Sequence, residues 1–155
     1  MNNELRNIIK QLIVESEDTN IHKPVRHTLI IKAGVDNIND HKKLLIKKFI
    51  HFVSKELGLS DSCKIYLSAE RNKYLETTAS FNPGNNDIWI YVKNRNMLGD
   101  ILRSLAHEMK HLYQKLDGVL NDKSGEDGSE HENEANSFSG KMIRKFGKMY
   151  PEIYE

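Results

Sequence analysis

The chain has 155 residues, 29% of them charged and 38% hydrophobic, a length that suits one domain able to bury a core without disulfide staples. Basic and acidic side chains nearly balance, 23 against 22, so no net field draws the chain to nucleic acid or to an anionic membrane. A single cysteine, Cys63, excludes an internal disulfide framework; no apolar run approaches transmembrane length and no charged-then-apolar leader opens the sequence, which sets the expectation of a cytoplasmic protein.

In chain order, residues 2–16 read as an amphipathic helix through Leu5, Ile8, Ile9, Leu12 and Ile13, followed by a polar, Pro-containing stretch to Arg26. This segment either docks on the domain and completes its core or forms a detachable arm. It resembles the short leading helices of some tailed-phage proteins, which would imply a viral origin and a virion-associated partner. Residues Thr28–Ala33 add a strand. His41–Leu57 is an amphipathic helix with Leu44, Leu45, Phe49, Phe52 and Val53 as its stripe, and its lysines are expected on a solvated face. His22, His27, His41 and His51 have no partner at ligand spacing and read as surface or packing residues.

Cys63–Ala69, Tyr74–Phe81 and Asp87–Val92 alternate or are rich in β-branched and aromatic residues, with polar or Asn-Pro-Gly-Asn-Asn turns between them. They predict a small sheet, antiparallel or mixed, with Cys63 as a small buried strand residue. Within the last strand Trp89 and Tyr91 share one face, and Ile88, Ile90 and Val92 the other. The aromatics read as ordinary half-buried strand residues. This strand or a neighbour is expected to lie as an exposed edge along a cleft, where free backbone groups can pair with an extended peptide.

Residues 96–117 predict a second helix, with Asn94 or Asn96 as N-cap and Gly118 as C-terminal stop. At about 100° per residue, Leu98, Ile101, Leu102, Leu105, Met109, Leu112 and Leu116 gather in one stripe while His107 and His111 fall opposite. Two imidazoles at i and i+4 can reach one tetrahedral metal ion, and Glu108 between them can take a proton from a water that the metal activates. The alternative is a solvated polar face or an incidental surface metal site. A catalytic zinc site wants a third protein ligand and an open position.

The candidates for that ligand lie past a polar, Gly-rich stretch, residues 118–128, or within its last positions: Glu126, Asp127, Glu130, His131, Glu132 and Glu134. A third helix starts at about Ser129. On it Glu132 shares the inner face with Ala135, Ser139, Met142, Ile143 and Phe146, while Glu130 and Glu134 point away. Asn136, one turn on, could hydrogen-bond a ligand and hold it in orientation. The competing reading of Ser129-x-x-Glu132 is a capping box, with the Glu reaching back to the N-cap amide.

HEMKH followed 21 residues later by ENEANSFSGKMI resembles the small gluzincin metallopeptidases of the ImmA/IrrE type, whose signature is His-Glu-x-x-His, then Glu-x-x-Ala-Asn and an apolar helix. The resemblance covers roughly residues 87–146. Lys110 stands where that family often has Gly, and Ser139-Gly140 replaces its usual Ala pair. The resemblance implies an α+β, zincin-like fold, one zinc ion held by His107, His111 and Glu132, Glu108 as general base and acid, and Asn136 as an outer partner. It also implies a protein or peptide substrate, which can be one dedicated protein. Tyr113, Tyr91 and His131 are candidates by type for the donor to the tetrahedral oxyanion, and none is assigned.

A second class keeps the metal and drops the chemistry. A zinc-stabilised interaction module would clamp the two helices through a closed site, with a fourth protein ligand such as His131 or Asp127. It has no need of a carboxylate at Glu108. Two histidines and one carboxylate can also hold iron or manganese.

Overall fold

The computed structural model describes residues 25–71, 77–118 and 129–155. The predicted leading helix over 2–16, the first part of the Tyr74–Phe81 strand and nearly all of the 118–128 stretch lie outside the described residues. What is described is α+β: a four-stranded mixed sheet carrying three helices. The strands are β1 (Thr28–Ile31), β2 (Lys64–Ser68), β3 (Ala79–Asn82) and β4 (Asp87–Tyr91). The helices are α1 (Asp40–Leu57), α2 (Leu98–Leu116) and α3 (Glu130–Met149), followed by a short 3-10 helix, Pro151–Tyr154.

Sheet order is β1-β2-β4-β3, with β1 parallel to β2, β2 parallel to β4 and only β3 antiparallel to β4. Of the two arrangements expected, antiparallel or mixed, the sheet takes the mixed one. Side-chain alternation has the same period in either direction, so strand composition carries no information on polarity; the connections decide it. Helix α1 fills the link from β1 to β2, a crossover of the kind that makes neighbours parallel. The Asn-rich link between β3 and β4 is a hairpin. There Asn82 Oδ1 accepts from Gly84 N at 2.8 Å, Asn85 Oδ1 accepts from Asp87 N at 2.9 Å, and Asn86 takes φ 64°, a left-handed turn that Asn tolerates. Strand β4 is thus interior, and its neighbour β3 forms the edge beside α2.

Helix α2 lies against β3 and β4 and packs on α1 and α3, and Ile65, Leu67, Ile88 and Ile90 of the sheet are completely buried in the shared core. The apolar stripe of α2 packs there as its spacing predicts, with Leu116 half-buried at the end. Phe49 of α1 meets Phe146 of α3 edge-on, ring centres 5.0 Å apart at 82°. The α1 stripe is corrected at one position: Leu44 is 51% exposed, and Ile46, Ile50 and Leu57 are buried with Leu45, Phe49 and Val53. Leu44 stands roughly 140° round the helix from Phe49, so it cannot share that face. On the opposite face of the sheet Tyr66 and Trp89 stack at 4.3 Å, both half-buried.

The caps of α1 follow local rules: Asn39 accepts from Lys42 N, and Gly58 closes the helix at φ 63°. Helix α2 does not. Its N-cap is Met97, with no side-chain bond, in place of Asn94 or Asn96. Asn94 is used instead in a left-handed turn at φ 64°, and Asn96 gives its carbonyl to Lys42 Nζ at 3.0 Å. The entry to α2 is held by Arg95, whose guanidinium donates to Tyr91 O at 2.8 Å, Asp100 O at 2.7 Å and Ser104 Oγ at 2.8 Å. Gly118, at φ 77°, ends the helix as its position predicts.

Candidate metal centre

Packing of α2 against α3 leaves the histidine side of α2 turned to the first turn of α3. His107 Nε2 lies 3.0 Å from Glu132 Oε1, His111 Nε2 lies 2.8 Å from Glu132 Oε2, and the two Nε2 atoms are 3.2 Å apart. One ligand atom from each of the three residues falls within 4.8 Å of the others, which makes this the candidate metal-binding group found among the described residues. Ligand atoms at zinc bond lengths on a tetrahedron stand roughly 3.3–3.6 Å apart. The observed spacings are slightly closer, and an ion between the three groups needs only small side-chain shifts.

The protonation logic points the same way. Gln114 Nε2 donates to His131 O at 3.1 Å and to Glu134 Oε1 at 2.8 Å, two atoms that only accept. Its carbonyl oxygen is therefore the atom 2.7 Å from His111 Nδ1, and Nδ1 must carry the hydrogen. In the neutral ring, Nε2 of His111 then presents a lone pair to a carboxylate oxygen and to another imidazole nitrogen. Only a proton or a cation reconciles such a gathering of acceptors. Burial, followed by the neighbouring His111, holds the His107 pKa below the ordinary histidine value against the pull of Glu132. Three converging donor atoms, one of them on an imidazole that resists protonation, fit a divalent metal.

Glu108 is only 7% exposed, and burial first, then the charge of Glu132, pushes its carboxyl up to about 8. It is not one of the three grouped residues. A buried carboxyl with a raised pKa beside three candidate ligand groups is a functional-site candidate.

Glu132 resolves the capping question in both directions. Its N–H donates to Ser129 Oγ at 3.1 Å, so Ser129 caps α3, while the carboxylate turns to the histidines. Asn136 is placed to hydrogen-bond His107. Glu130 and Glu134 are exposed, and Glu134 is engaged by Gln114. Lys110 lies over the rings of Tyr113 and Phe138, at 4.6 and 5.3 Å from their centres. The Tyr91 ring sits under Arg71 at 4.2 Å on the sheet face opposite Ile88 and Ile90, and the main chain of His131 is taken by Gln114. Asp127 and Glu126 lie outside the described residues.

His22 lies outside the described residues, His27 is used in packing, and His41 and His51 are exposed. His27 Nδ1 accepts from Cys63 N at 3.1 Å and its Nε2 meets Ser54 Oγ at 2.9 Å, while His41 pairs with Glu152 at 3.4 Å. Cys63 is buried just ahead of β2, and burial with the nearby Asp87 charge pushes its thiol up to about 12, which leaves it no nucleophilic character at neutral pH.

Gln114 is the residue that motif reading missed. Its signal was present: it is seven positions after His107, within about 20° of it on the helical wheel, and three after His111. No family model matches the chain, and neither a curated protein nor a solved structure matches it. The donor set and its surroundings alone define the chemistry of the site.

Proposed function

We propose that the chain is a zinc-dependent metallopeptidase of the small gluzincin kind, with His107, His111 and Glu132 as metal ligands and Glu108 as general base and acid. The carrying observation is the convergence of Nε2 of His107, Nε2 of His111 and the Glu132 carboxylate, with buried Glu108 adjoining them. Zinc bound there would supply Lewis acidity toward a water and a peptide carbonyl. Glu108 takes the proton of the attacking water and returns it to the leaving amine. Asn136 restrains His107. Edge strand β3, beside α2, offers backbone groups to which an extended peptide can pair, giving binding without strong sequence preference.

Two features favour this reading over a metal-clamped interaction module. His131, one of the two residues named for a closed site, is not in the ligand group. A structural site also gains nothing from burying a carboxyl at Glu108, where desolvation costs free energy. An iron oxygenase would share the ligand set but has no use for a general base in that position. On this proposal the substrate is a protein or peptide and the fold is zincin-like. No helix among the described residues is long and apolar enough to cross a membrane.

Elemental analysis of protein purified without added metal, wild type beside Glu132→Ala, tests the proposal. One zinc per chain, lost in the variant, is expected, followed by hydrolysis of an unfolded protein substrate that Glu108→Gln abolishes. Iron in place of zinc, or no metal after reconstitution, overturns it.

A further inference from the structure

Gln114 is completely buried on the histidine side of α2, where a polar side chain must find its partners within the protein. An amide in that position offers two N–H groups and one carbonyl, and all three are engaged: the carbonyl with His111 Nδ1, the amino group with the His131 carbonyl and the Glu134 carboxylate. The arrangement has one orientation. Turned over, the amide would press its oxygen against two acceptors. Both anchors lie on the first turn and a half of α3, on either side of Glu132 in sequence.

We propose that Gln114 is a positioning residue for the metal centre: anchored by Glu134 and the His131 carbonyl, it accepts the Nδ1–H of His111 and so fixes Nε2 as the ligand atom. The inference rests on the metallopeptidase reading of the cluster. The first consequence is tautomeric, since a histidine whose Nδ1–H is held presents Nε2 as a lone pair without a search over ring flips. The second concerns register. The amide that orients His111 on α2 is gripped by the residues flanking Glu132 on α3, so the same contact sets the third ligand opposite the second. Glu134, which is not one of the three grouped residues, acts through Gln114: its charge strengthens the N–H bond and fixes the amide orientation.

The test uses the full chain, uniformly labelled with nitrogen-15. Long-range nitrogen–proton spectra of the metal-free protein report the His111 tautomer, and competition with a chromophoric chelator reports zinc affinity. Wild-type His111 is expected as the Nδ1–H form. Gln114→Leu is expected to lose that bias and to weaken zinc binding by about 10- to 100-fold, the usual cost of removing an outer partner of a ligating histidine. Gln114→Glu sets a second carboxylate against Glu134 and is expected to weaken zinc as well. Adding Glu134→Gln restores the donor–acceptor order at two of the three contacts, because the carboxylate introduced at position 114 can then accept both from His111 and from the amide introduced at position 134, while the His131 carbonyl loses its donor. The double variant is expected to recover the Nδ1–H tautomer and part of the affinity lost in Gln114→Glu.

An Nε2–H tautomer in the wild type overturns the proposal, as does a folded Gln114→Leu variant with tautomer and affinity unchanged. Should Gln114→Leu fail to fold, the exchanged pair decides, and absence of rescue by Glu134→Gln sinks the idea. A tautomer that follows the residue at position 114 in a chain that binds no zinc would support the positioning contact and remove the metallopeptidase reading instead.

Discussion

Oε2 of Glu132 stands 2.8 Å from Nε2 of His111, joining the first turn of α3 to the C-terminal half of α2 across 21 positions of sequence. The contact separates Glu132 from the other acidic residues around it. Glu130 shares its turn, and Glu134 lies two residues on and is engaged by Gln114 instead. Glu132→Ala is expected to reduce zinc affinity by more than the roughly 10- to 100-fold typical of an outer partner, and Glu134→Ala by no more than that. Isothermal titration or chelator competition on both variants checks the order, and a reversed order would displace Glu132 from the ligand set.

Glu108→Gln keeps the shape of a buried side chain and removes only its capacity to move a proton. The expected outcome is unchanged zinc stoichiometry with peptide hydrolysis reduced by about 10²- to 10⁴-fold, the usual contribution of a positioned acid–base group. Turnover at wild-type rate with zinc bound would take the base role away from Glu108.

Leu44 and Phe49 belong to one helix and to opposite environments, the first 51% exposed and the second fully buried against Phe146. Phe49→Ala is expected to cost about 3–5 kcal/mol of stability and Leu44→Ala to stay within about 0.5 kcal/mol of wild type. Urea denaturation of the two variants reads the difference. Equal losses would mean that α1 is rotated from the orientation described.

His27 carries a pH dependence of known sign. Burial lowers its pKa from the ordinary value, and the neutral ring accepts from Cys63 N–H and meets Ser54. The unfolded chain binds a proton at about 6.5 where the native ring resists it, so the stabilisation is complete above that pH and is lost as pH falls below it. The gap in urea midpoint between wild type and His27→Gln is expected to narrow from about pH 7.5 to about pH 5.5, values chosen to bracket that titration. A constant gap would show that the ring does not titrate with folding.

Helix positions and candidate ligand identities were legible in the residues because both depend on local spacing. The i, i+4 pair HEMKH, the apolar stripe opposite it, and the phase that put Glu132 and not Glu134 inward all follow from 3.6 residues per turn, and the structure places Glu132 on both imidazoles. The alternating Ile88–Val92 strand likewise showed which of its faces is buried.

What tertiary structure decided lies where local signals are degenerate. Strand alternation reads the same for parallel and antiparallel neighbours, so only the α1 crossover and the Asn-rich hairpin set the order β1-β2-β4-β3. Asn94 and Asn96 suit a cap and a turn equally, and the entry held by Arg95 chose the turn. A polar side chain on the histidine side of α2 reads from sequence as solvent-facing. Packing of α3 over that side turned Gln114 into a buried amide with each of its polar atoms spoken for, because a group cut off from water must find its partners within the protein.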